Sequence, residues 1–413
     1  MTHIAVLGAG ITGVTAAYRL HAMGYDVTVI DRHRYPAMET SFANGGQLSA
    51  SNAEVWNSWA TVLKGMKWAF RKDAPLCLRW TPSWHKLSWM AEFVAAIPRY
   101  EASTGATARM AIAARPLMEE MAERAGLGFD RSPCGILHFY ETEKDLGAAR
   151  RVNAIYAAAG LPRRELSAEE VHAVEPALRA AAVGGFLTES DSTGDIHLFT
   201  VGLARWLESQ GVSFALGQEV TETRALEGGV EIERGGRTER FDAVVVSAGV
   251  ASRDFAAQLG DRLNVYPVKG YSITVMLPDG ASREAAPRIS LLDDAAKIVT
   301  SRLGEGRLRV AGTAEFAGLN RDIRADRVAP LVRWVERHFP DVNTESCVPW
   351  AGLRPMMPDM MPRVGRGRHP RVFYNTGHGH LGWTLSAATA AGLAASVAAE
   401  LPPETGAAVR MAA

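Results

Sequence analysis

The fold is decided by residues 4–13, which read Ile4-Ala5-Val6-Leu7-Gly8-Ala9-Gly10-Ile11-Thr12-Gly13. A short apolar run predicts a buried strand, and the glycines after it form the pattern G-x-G-x-x-G. The pattern from Ile11 to Met23 predicts a helix that stops at Gly24, and Asp26 to Ile30 predicts a second strand. Strand, glycine-rich turn, helix and strand in this order are typical of a Rossmann-like dinucleotide-binding unit.

Each glycine of the pattern has a separate physical task. Gly8 allows a tight turn, Gly10 lets the backbone approach a pyrophosphate, and Gly13 permits close packing of helix on strand. The helix N-terminus then faces the phosphates with its N–H groups and positive dipole end. Asp31, 23 residues after Gly8, is placed to accept hydrogen bonds from ribose hydroxyls. The fingerprint alone does not separate FAD from NAD.

Two further segments favour FAD. Residues 39–49 are small and amide residues, too polar for a core and too rich in glycine for a helix, so they can approach a flat ring. Residues 375–384 enter a helix predicted from Leu385, and N–H groups at that helix start suit the negative side of a reduced flavin. The alternative for the second segment is an ordinary loop that enters a helix.

Histidines and aspartates in the chain do not have metal-site spacing. His378 and His380 form an H-x-H pair without a third ligand nearby, so we predict no metal. Asp191 and Asp195 lack the spacing of an EF-hand and are expected to form turns before a helix.

The composition excludes some partners. Forty-five basic residues balance forty-five acidic ones, so we expect no nucleic acid partner. The three cysteines show no CxxC pair, which argues against disulfides and structural zinc and favours a reducing, cytoplasmic setting. We also expect no secretory signal and no membrane-spanning segment, because the start lacks signal zones and no uncharged apolar run is long enough.

The chain order predicts an α/β protein with two domains. A helix over 199–210, a strand over 212–216 and a hairpin formed by 230–234 and 237–241 precede a buried strand over 242–247. That strand returns the chain to the dinucleotide unit, so the Rossmann-like FAD-binding domain is predicted to be discontinuous. We assign residues 1–84, 191–259 and 346–413 to it. The blocks 85–190 and 260–345 are predicted to form a mixed-sheet substrate domain that roofs the flavin.

Four motifs in order carry a resemblance to a known family. They are Phe42-Ala43-Asn44-Gly45-Gly46-Gln47-Leu48-Ser49, Lys269-Gly270-Tyr271-Ser272, Gly352-Leu353-Arg354-Pro355-Met356 with Pro358-Asp359, and Gly377-His378-Gly379 with Leu381-Gly382-Trp383-Thr384. The chain resembles the bacterial FAD-dependent D-amino acid dehydrogenases of the D-amino acid oxidase and glycine oxidase superfamily. The resemblance implies oxidation of D-amino acids to 2-oxo acids and ammonia, by hydride transfer from Cα to flavin N5. It also implies that a membrane quinone-type acceptor takes the electrons.

The resemblance assigns the substrate carboxylate to Arg354, and a planar guanidinium suits a carboxylate because it donates two parallel hydrogen bonds. The alternative for Arg354 is a surface salt bridge. Tyr271 is expected either to donate to the carboxylate or to be a core strand residue, and His378 completes the candidate catalytic set. The predicted cofactor contacts are Gly8, Ala9, Gly10, Ile11, Thr12, Gly13, Asp31, Arg32, Thr40, Ser41, Asn44, Gly45, Gly46, Gln47, Leu48, Val220, Ala248, Gly249, Gly352, Gly379, His380, Leu381, Gly382, Trp383 and Thr384.

Three functional alternatives remain open. The motifs fit a D-amino acid dehydrogenase or an enzyme that oxidises D-hydroxyproline, sarcosine or glycine; the third is a flavin-binding electron-transfer or assembly subunit. Related sarcosine oxidases attach flavin through a cysteine shortly before a Pro-Asp pair. Cys347 lies too far upstream of Pro358-Asp359 for this, so we expect non-covalent FAD.

Residues 55–91 combine aromatic and basic side chains. They hold six of the ten tryptophans and six basic residues, with Asp73 the only acid. Such a mixture suits a bilayer interface with anionic head groups, so peripheral contact with the inner face of the plasma membrane is one interpretation. The other is a tryptophan-rich pair of core helices with solvated lysines.

Overall fold

A computed structural model describes residues 1–68, 76–78 and 83–403 of the 413. Within these residues the chain forms eleven α-helices: α1 (Ile11–Ala22), α2 (Trp59–Trp68), α3 (Trp84–Ala95), α4 (Tyr100–Arg124), α5 (Glu143–Ala158), α6 (Ala168–Val174), α7 (Ile196–Ser209), α8 (Ser252–Gln258), α9 (Gly280–Ala285), α10 (Ala325–His338) and α11 (Gly382–Glu400). Short 3₁₀ turns occur at Ala50–Asn52, Ile97–Arg99 and Gly249–Ala251.

The same residues form twenty strands. They are β1 (His3–Leu7), β2 (Asp26–Asp31), β3 (Gln47–Leu48), β4 (Leu76–Leu78), β5 (Ile136–Tyr140), β6 (Arg164–Ser167), β7 (Gly184–Thr188), β8 (Ser192–Thr193), β9 (Ser213–Leu216), β10 (Val220–Leu226), β11 (Gly229–Arg234), β12 (Arg237–Phe241), β13 (Ala243–Val246), β14 (Tyr266–Met276), β15 (Ser290–Asp293), β16 (Ile298–Leu303), β17 (Arg307–Phe316), β18 (Val348–Met356), β19 (Arg363–Arg366) and β20 (Val372–Thr376).

A six-stranded sheet forms the centre of the dinucleotide unit, in the order β19-β20-β13-β1-β2-β9. All neighbours are parallel except β19, which is antiparallel to β20. Because strand side chains alternate between faces, Ala243 and Val245 of β13 pack under helices α1, α4, α7 and α11. Val244 and Val246 face the antiparallel sheet β10-β11-β12 and α8. The predicted Rossmann-like unit and its hairpin are confirmed.

A nine-stranded mixed sheet forms the second unit, in the order β18-β14-β17-β16-β15-β5-β7-β6 with β4 beside β17. One face of this sheet packs against α10 through a second apolar core. Strand β18 pairs with β14 from Val348 to Met356. The predicted boundary at residue 346 therefore falls too early, because the strand that follows it belongs to the nine-stranded sheet. Among the described residues, no helix combines the length and apolarity needed to cross a bilayer.

Candidate active site

A cavity of about 520 Å³ is lined by both sheets and opens where β1 and β2 end. Crevices at the carboxyl ends of parallel strands are the usual ligand sites of such sheets. Sixteen predicted cofactor contacts line it: Gly8, Gly10, Ile11, Thr12, Asp31, Arg32, Thr40, Ser41, Asn44, Val220, Ala248, Gly249, Gly379, His380, Gly382 and Trp383. Arg354 and His378 line it as well. Segments far apart in sequence thus meet around one space.

The glycine-rich turn has the geometry that its sequence predicts. Gly8 adopts a φ of 108°, and a Cβ there would lie 2.5 Å from the carbonyl oxygen of Ser247. A Cβ on Gly13 would lie 1.8 Å from the carbonyl oxygen of Gly8, so helix and strand can pack only with glycine at this position. A Cβ on Gly10 would meet only the Ser41 hydroxyl, at 3.5 Å. The backbone at Gly10 is therefore accessible to a phosphate group.

Asp31 is held at the edge of the cavity. Its carboxylate accepts the N–H groups of Ala9 and His33, at 2.7 and 2.8 Å. A carboxylate has about four lone-pair sites, so acceptor capacity remains for ribose hydroxyls. Two other cavity-lining residues, Ser247 and Trp383, have a buried hydroxyl and a buried indole N–H without a hydrogen-bond partner in the described part of the chain. Buried polar groups are normally paired, so this cavity fits a large polar ligand.

Residues 43–48 lie against the nine-stranded sheet. The Ser272 hydroxyl donates to the Ala43 carbonyl oxygen at 2.8 Å, and the Ser301 hydroxyl donates to that of Gly45 at 2.6 Å. A Cβ on Gly45 would lie 2.5 Å from a Val299 methyl group. Direct cofactor contact was also predicted for nine residues that do not line the cavity: Ala9, Gly13, Gly45, Gly46, Gln47, Leu48, Gly352, Leu381 and Thr384. Several of these hold the turn and the loop in place, and their direct contact with the cofactor stays a prediction.

Arg354 presents a cation to the cavity from β18. Its guanidinium lies flat over Gly270, where a Cβ would come within 2.1 Å of Nη1. Nη1 donates to the Thr313 carbonyl oxygen at 3.0 Å, and no carboxylate among the described residues forms an ion pair with Arg354. Burial lowers the pKa of the guanidinium to about 10, so it stays charged at neutral pH. The surface salt-bridge alternative does not describe this residue.

The prediction that Tyr271 contacts the substrate is wrong. Its side chain is 1% exposed and belongs to the apolar core beneath α10, on the face of β14 opposite Gly270. Its hydroxyl donates to Glu315 at 2.6 Å. Tyr271 is therefore a core residue, which was the alternative left open by the sequence.

The two histidines line the cavity as neutral side chains. His378 is 3% exposed, its Nε2 lies 2.9 Å from the Thr389 hydroxyl, and burial lowers its pKa to about 3. A buried imidazole with this pKa does not exchange protons near neutrality, so His378 is not a general base, and its predicted place in the catalytic set stays a prediction. His380 stacks on Trp56, with ring centroids 5.0 Å apart. Burial, together with the nearby charges of Arg354 and Lys297, lowers the pKa of His380 to about 4. The hydrogen bond between its ring and the Asn52 carbonyl oxygen raises the pKa but does not offset these effects.

Sequence reasoning missed two features of this site. Glu39 bridges the two units by accepting hydrogen bonds from Arg32, His33 and Arg321 beside the cavity. Burial favours protonation of Glu39, but these donors outweigh it and hold its pKa at about 2. No local signal connects Glu39 to Arg321, which lies 282 residues away. The second feature is the packing of Arg354 on Gly270; a glycine inside a strand pattern is its one sequence signal.

A family model described as FAD dependent oxidoreductase matches residues 3–396. The chain belongs to this family. FAD is therefore its cofactor, and the Gly8–Gly13 turn, Asp31 and the start of α11 are the elements suited to hold it.

Relatives in sequence and structure agree with the family. Over 405 residues the chain is 57% identical to "D-amino acid dehydrogenase 3" of Mesorhizobium japonicum, covering 97% of this chain and 98% of that protein. It is 38% identical to a D-amino acid dehydrogenase of Dechloromonas aromatica, covering 97% of each. The solved glycine oxidase of Geobacillus kaustophilus has the same fold, with a TM-score of 0.74 at 21% identity over 96% of this chain and 95% of that one. The protein is thus an enzyme of amino acid oxidation.

Proposed function

We propose that this enzyme oxidises the Cα–N bond of D-amino acids and yields 2-oxo acids and ammonia. The observation that carries the proposal is Arg354, a recessed guanidinium without an acidic partner among the described residues, open to the cavity that suits FAD. A desolvated cation of this kind is stabilised by an anionic ligand. The names of the relatives supply the D-amino acid as the ligand that carries the carboxylate.

In this proposal Arg354 fixes both the position and the rotation of the substrate. Two parallel hydrogen bonds hold the carboxylate, while Gly270 beneath the guanidinium and the Thr313 carbonyl limit its movement. With the carboxylate fixed, only one face of the α-carbon can offer its hydrogen, which selects one configuration. FAD, when bound, would supply N5 as the acceptor for the hydride that leaves Cα.

The side chains around the substrate need not move a proton in the oxidation step. The substrate amine must be neutral for its lone pair to assist hydride departure, and the resulting imine hydrolyses in water. His378 and His380 are neutral above about pH 4. They therefore place no positive charge beside the amine that would oppose oxidation. We accordingly assign no general base.

Anaerobic mixing tests the proposal directly. The yellow oxidised protein is combined with D-amino acids, their L-enantiomers, D-hydroxyproline, sarcosine and glycine, and loss of the yellow colour is followed on the order of seconds. We expect D-amino acids to bleach the flavin fastest. Faster bleaching by a secondary amine or glycine would move the enzyme to that substrate class. Failure of all these compounds would favour an electron-transfer subunit.

We also propose that FAD is bound non-covalently. No cysteine occurs among the described residues that line the cavity, and Cys347 lies just before β18, outside the lining. Acid precipitation should release all of the flavin into the supernatant. Yellow colour that stays with the precipitated protein would contradict this.

A membrane quinone is the electron acceptor that we propose, with contact through α2 and α3. Trp59, Leu63 and Met66 on α2 and Trp84 and Leu87 on α3 are exposed, with exposed fractions from 54% to 83%. Lys64 and Lys67 are exposed beside them. Apolar side chains with flanking lysines suit an anionic bilayer surface.

The proposed surface takes in only part of residues 55–91. Trp56 stacks on His380, Trp89 is 3% exposed and Lys86 is buried, so these three do not belong to it. Trp80, Arg71, Lys72 and Arg79 of the same prediction lie outside the described residues, as does the side chain of Trp68.

Flotation with anionic vesicles tests the membrane contact. The parent should float, whereas a Trp59→Ser/Trp84→Ser variant and a Lys64→Gln/Lys67→Gln variant should remain at the bottom of the gradient. Leu198→Ser, which removes an exposed apolar side chain elsewhere, is the matched control and should float like the parent. Equal behaviour of all four proteins would contradict the proposed surface.

A further inference from the structure

The segment Lys269-Gly270-Tyr271-Ser272 divides its side chains between the two faces of β14. On the cavity face, the Arg354 guanidinium packs on Gly270, and the Ser272 hydroxyl donates a hydrogen bond to the Ala43 carbonyl oxygen. Lys269 and Tyr271 point to the opposite face, as strand alternation requires. The cavity face is thus occupied by the active site, and the other face by a separate polar cluster.

Glu315 is the centre of that cluster. Its carboxylate is fully buried and accepts a hydrogen bond from Tyr271 at 2.6 Å. Lys269 Nζ lies 3.1 Å from it, and an Arg324 Nη1 donates to it at 3.1 Å. A buried charge is tolerated only when it is paired and hydrogen-bonded. This cluster meets that condition within an otherwise apolar core.

The cluster lies at a bulge in the pairing of β14 with β17. The register runs from Lys269 opposite Glu315 to Tyr271 opposite Gly312, so Gly270 faces two residues of β17. One of them, Thr313, has a φ of 53°, which is unfavourable for a β-branched residue. Its hydroxyl is also buried without a hydrogen-bond partner among the described residues. Such a conformation persists only where surrounding contacts enforce it.

The bulge turns the Thr313 carbonyl oxygen toward Nη1 of Arg354, at 3.0 Å. We infer that Glu315 is a positioning residue: its buried cluster holds the bulge, and the bulge holds Arg354 in the orientation that binds the substrate carboxylate. The inference rests on the proposed function, in which Arg354 binds that carboxylate. Glu315 itself does not line the cavity. It acts through the backbone of Thr313.

The test compares Glu315→Gln with Glu175→Gln. Glu175 is the matched control because it is a fully buried glutamate of the same unit, whose carboxylate accepts the N–H groups of Arg288 and Ile289, away from the bulge. Each protein is assayed with the best D-amino acid of the panel and with its amide, which lacks the carboxylate. FAD content is measured from the absorption spectrum. Folding is checked by thermal unfolding.

Glu315→Gln should lose about tenfold in kcat/KM for the acid, mostly through KM, and less than about twofold for the amide. Glu175→Gln should keep the acid-to-amide ratio of the parent. Tyr271→Phe, which removes one hydrogen bond and keeps every charge, should shift the ratio in the same direction by about threefold. If Glu315→Gln does not fold, Tyr271→Phe decides.

Equal losses for acid and amide would assign the cluster a merely structural role and overturn the inference. A parent-like ratio in both Glu315→Gln and Tyr271→Phe would overturn it as well. Failure of the proposed function looks different, because the parent itself would then show no preference for the acid over the amide.

Discussion

Gly270→Ala should remove carboxylate binding while leaving the fold and FAD in place. The new Cβ would lie 2.1 Å from Nη1, 2.3 Å from Cζ and 2.4 Å from Nη2 of Arg354. Non-bonded carbon contacts are optimal from about 3.5 Å, so the guanidinium must shift by about 1.4 Å, which is 3.5 minus 2.1. A misplacement of about 1 Å can cost about a hundredfold in rate. We therefore expect kcat/KM for D-amino acids to fall by about that factor.

The stability of this variant should change little. Gly270 does not have a positive φ, so alanine fits the backbone and gains roughly 0.4–1 kcal/mol through the unfolded state. Loss of the Arg354 hydrogen bond to Thr313 removes about 1 kcal/mol, and the two nearly cancel. The assay measures the flavin spectrum, thermal unfolding and steady-state kinetics with the acid and its amide.

Gly147→Ala is the matched control. Gly147 lies in α5, and a Cβ there would meet nothing within 4 Å. This variant should keep the parent kinetics and gain about 0.5–1 kcal/mol of stability. A Gly270→Ala enzyme that folds, binds FAD and retains the parent kcat/KM for the acid would refute the assigned position of Arg354.

Three further predictions follow from the same structure. Arg321→Ala should raise the dissociation constant of FAD by only about two- to fivefold, and less at high salt, because the salt bridge to Glu39 is partly exposed. A loss of FAD affinity that does not depend on salt would contradict an ionic bridge. Arg368→Ala, at an exposed site elsewhere, is the control and should leave FAD affinity unchanged. His378 is neutral in the folded protein down to about pH 3, whereas its ordinary pKa is 6.5. Because the unfolded chain then binds more protons, stability should fall as pH drops from about 6.5 toward 3, and the decline should be shallower in His378→Gln; parallel urea-unfolding curves for both proteins would contradict it. Gly13→Ala should prevent stable FAD binding, since its Cβ would lie 1.8 Å from a backbone oxygen; a variant with full flavin content would show that the turn can relax.

The dinucleotide unit could be predicted because its signals are local. The Gly8–Gly13 turn, α1 and β2 are contiguous, and each element follows from residues within its own range. The position of Arg354 in the cavity was implied by the motif that contains it. The sequence could not predict that Arg354 packs on Gly270 of β14 and donates to the Thr313 carbonyl oxygen of β17. These contacts depend on strand pairing, which joins residues far apart in the chain.

Tyr271 shows why a correct strand can still mislead. Alternation puts Gly270 and Tyr271 on opposite faces, but the sequence does not reveal which face meets the cavity. The tryptophan-rich residues 55–91 are equally hard to interpret, because the sequence does not reveal which tryptophans face solvent. Trp59 and Trp84 are exposed, whereas Trp56 and Trp89 pack inward, and composition alone cannot separate these environments.

The central claim is that the Arg354 guanidinium binds the substrate carboxylate. The most direct test measures kcat/KM of the parent and of Arg354→Met with a D-amino acid and with its amide, because protein and substrate then each lose one side of the same interaction. The parent should prefer the acid by about a hundredfold or more, as two charge-assisted hydrogen bonds imply. The yellow, folded Arg354→Met protein should lose that preference almost completely. A variant that retains its flavin and prefers the acid as strongly as the parent would contradict the claim.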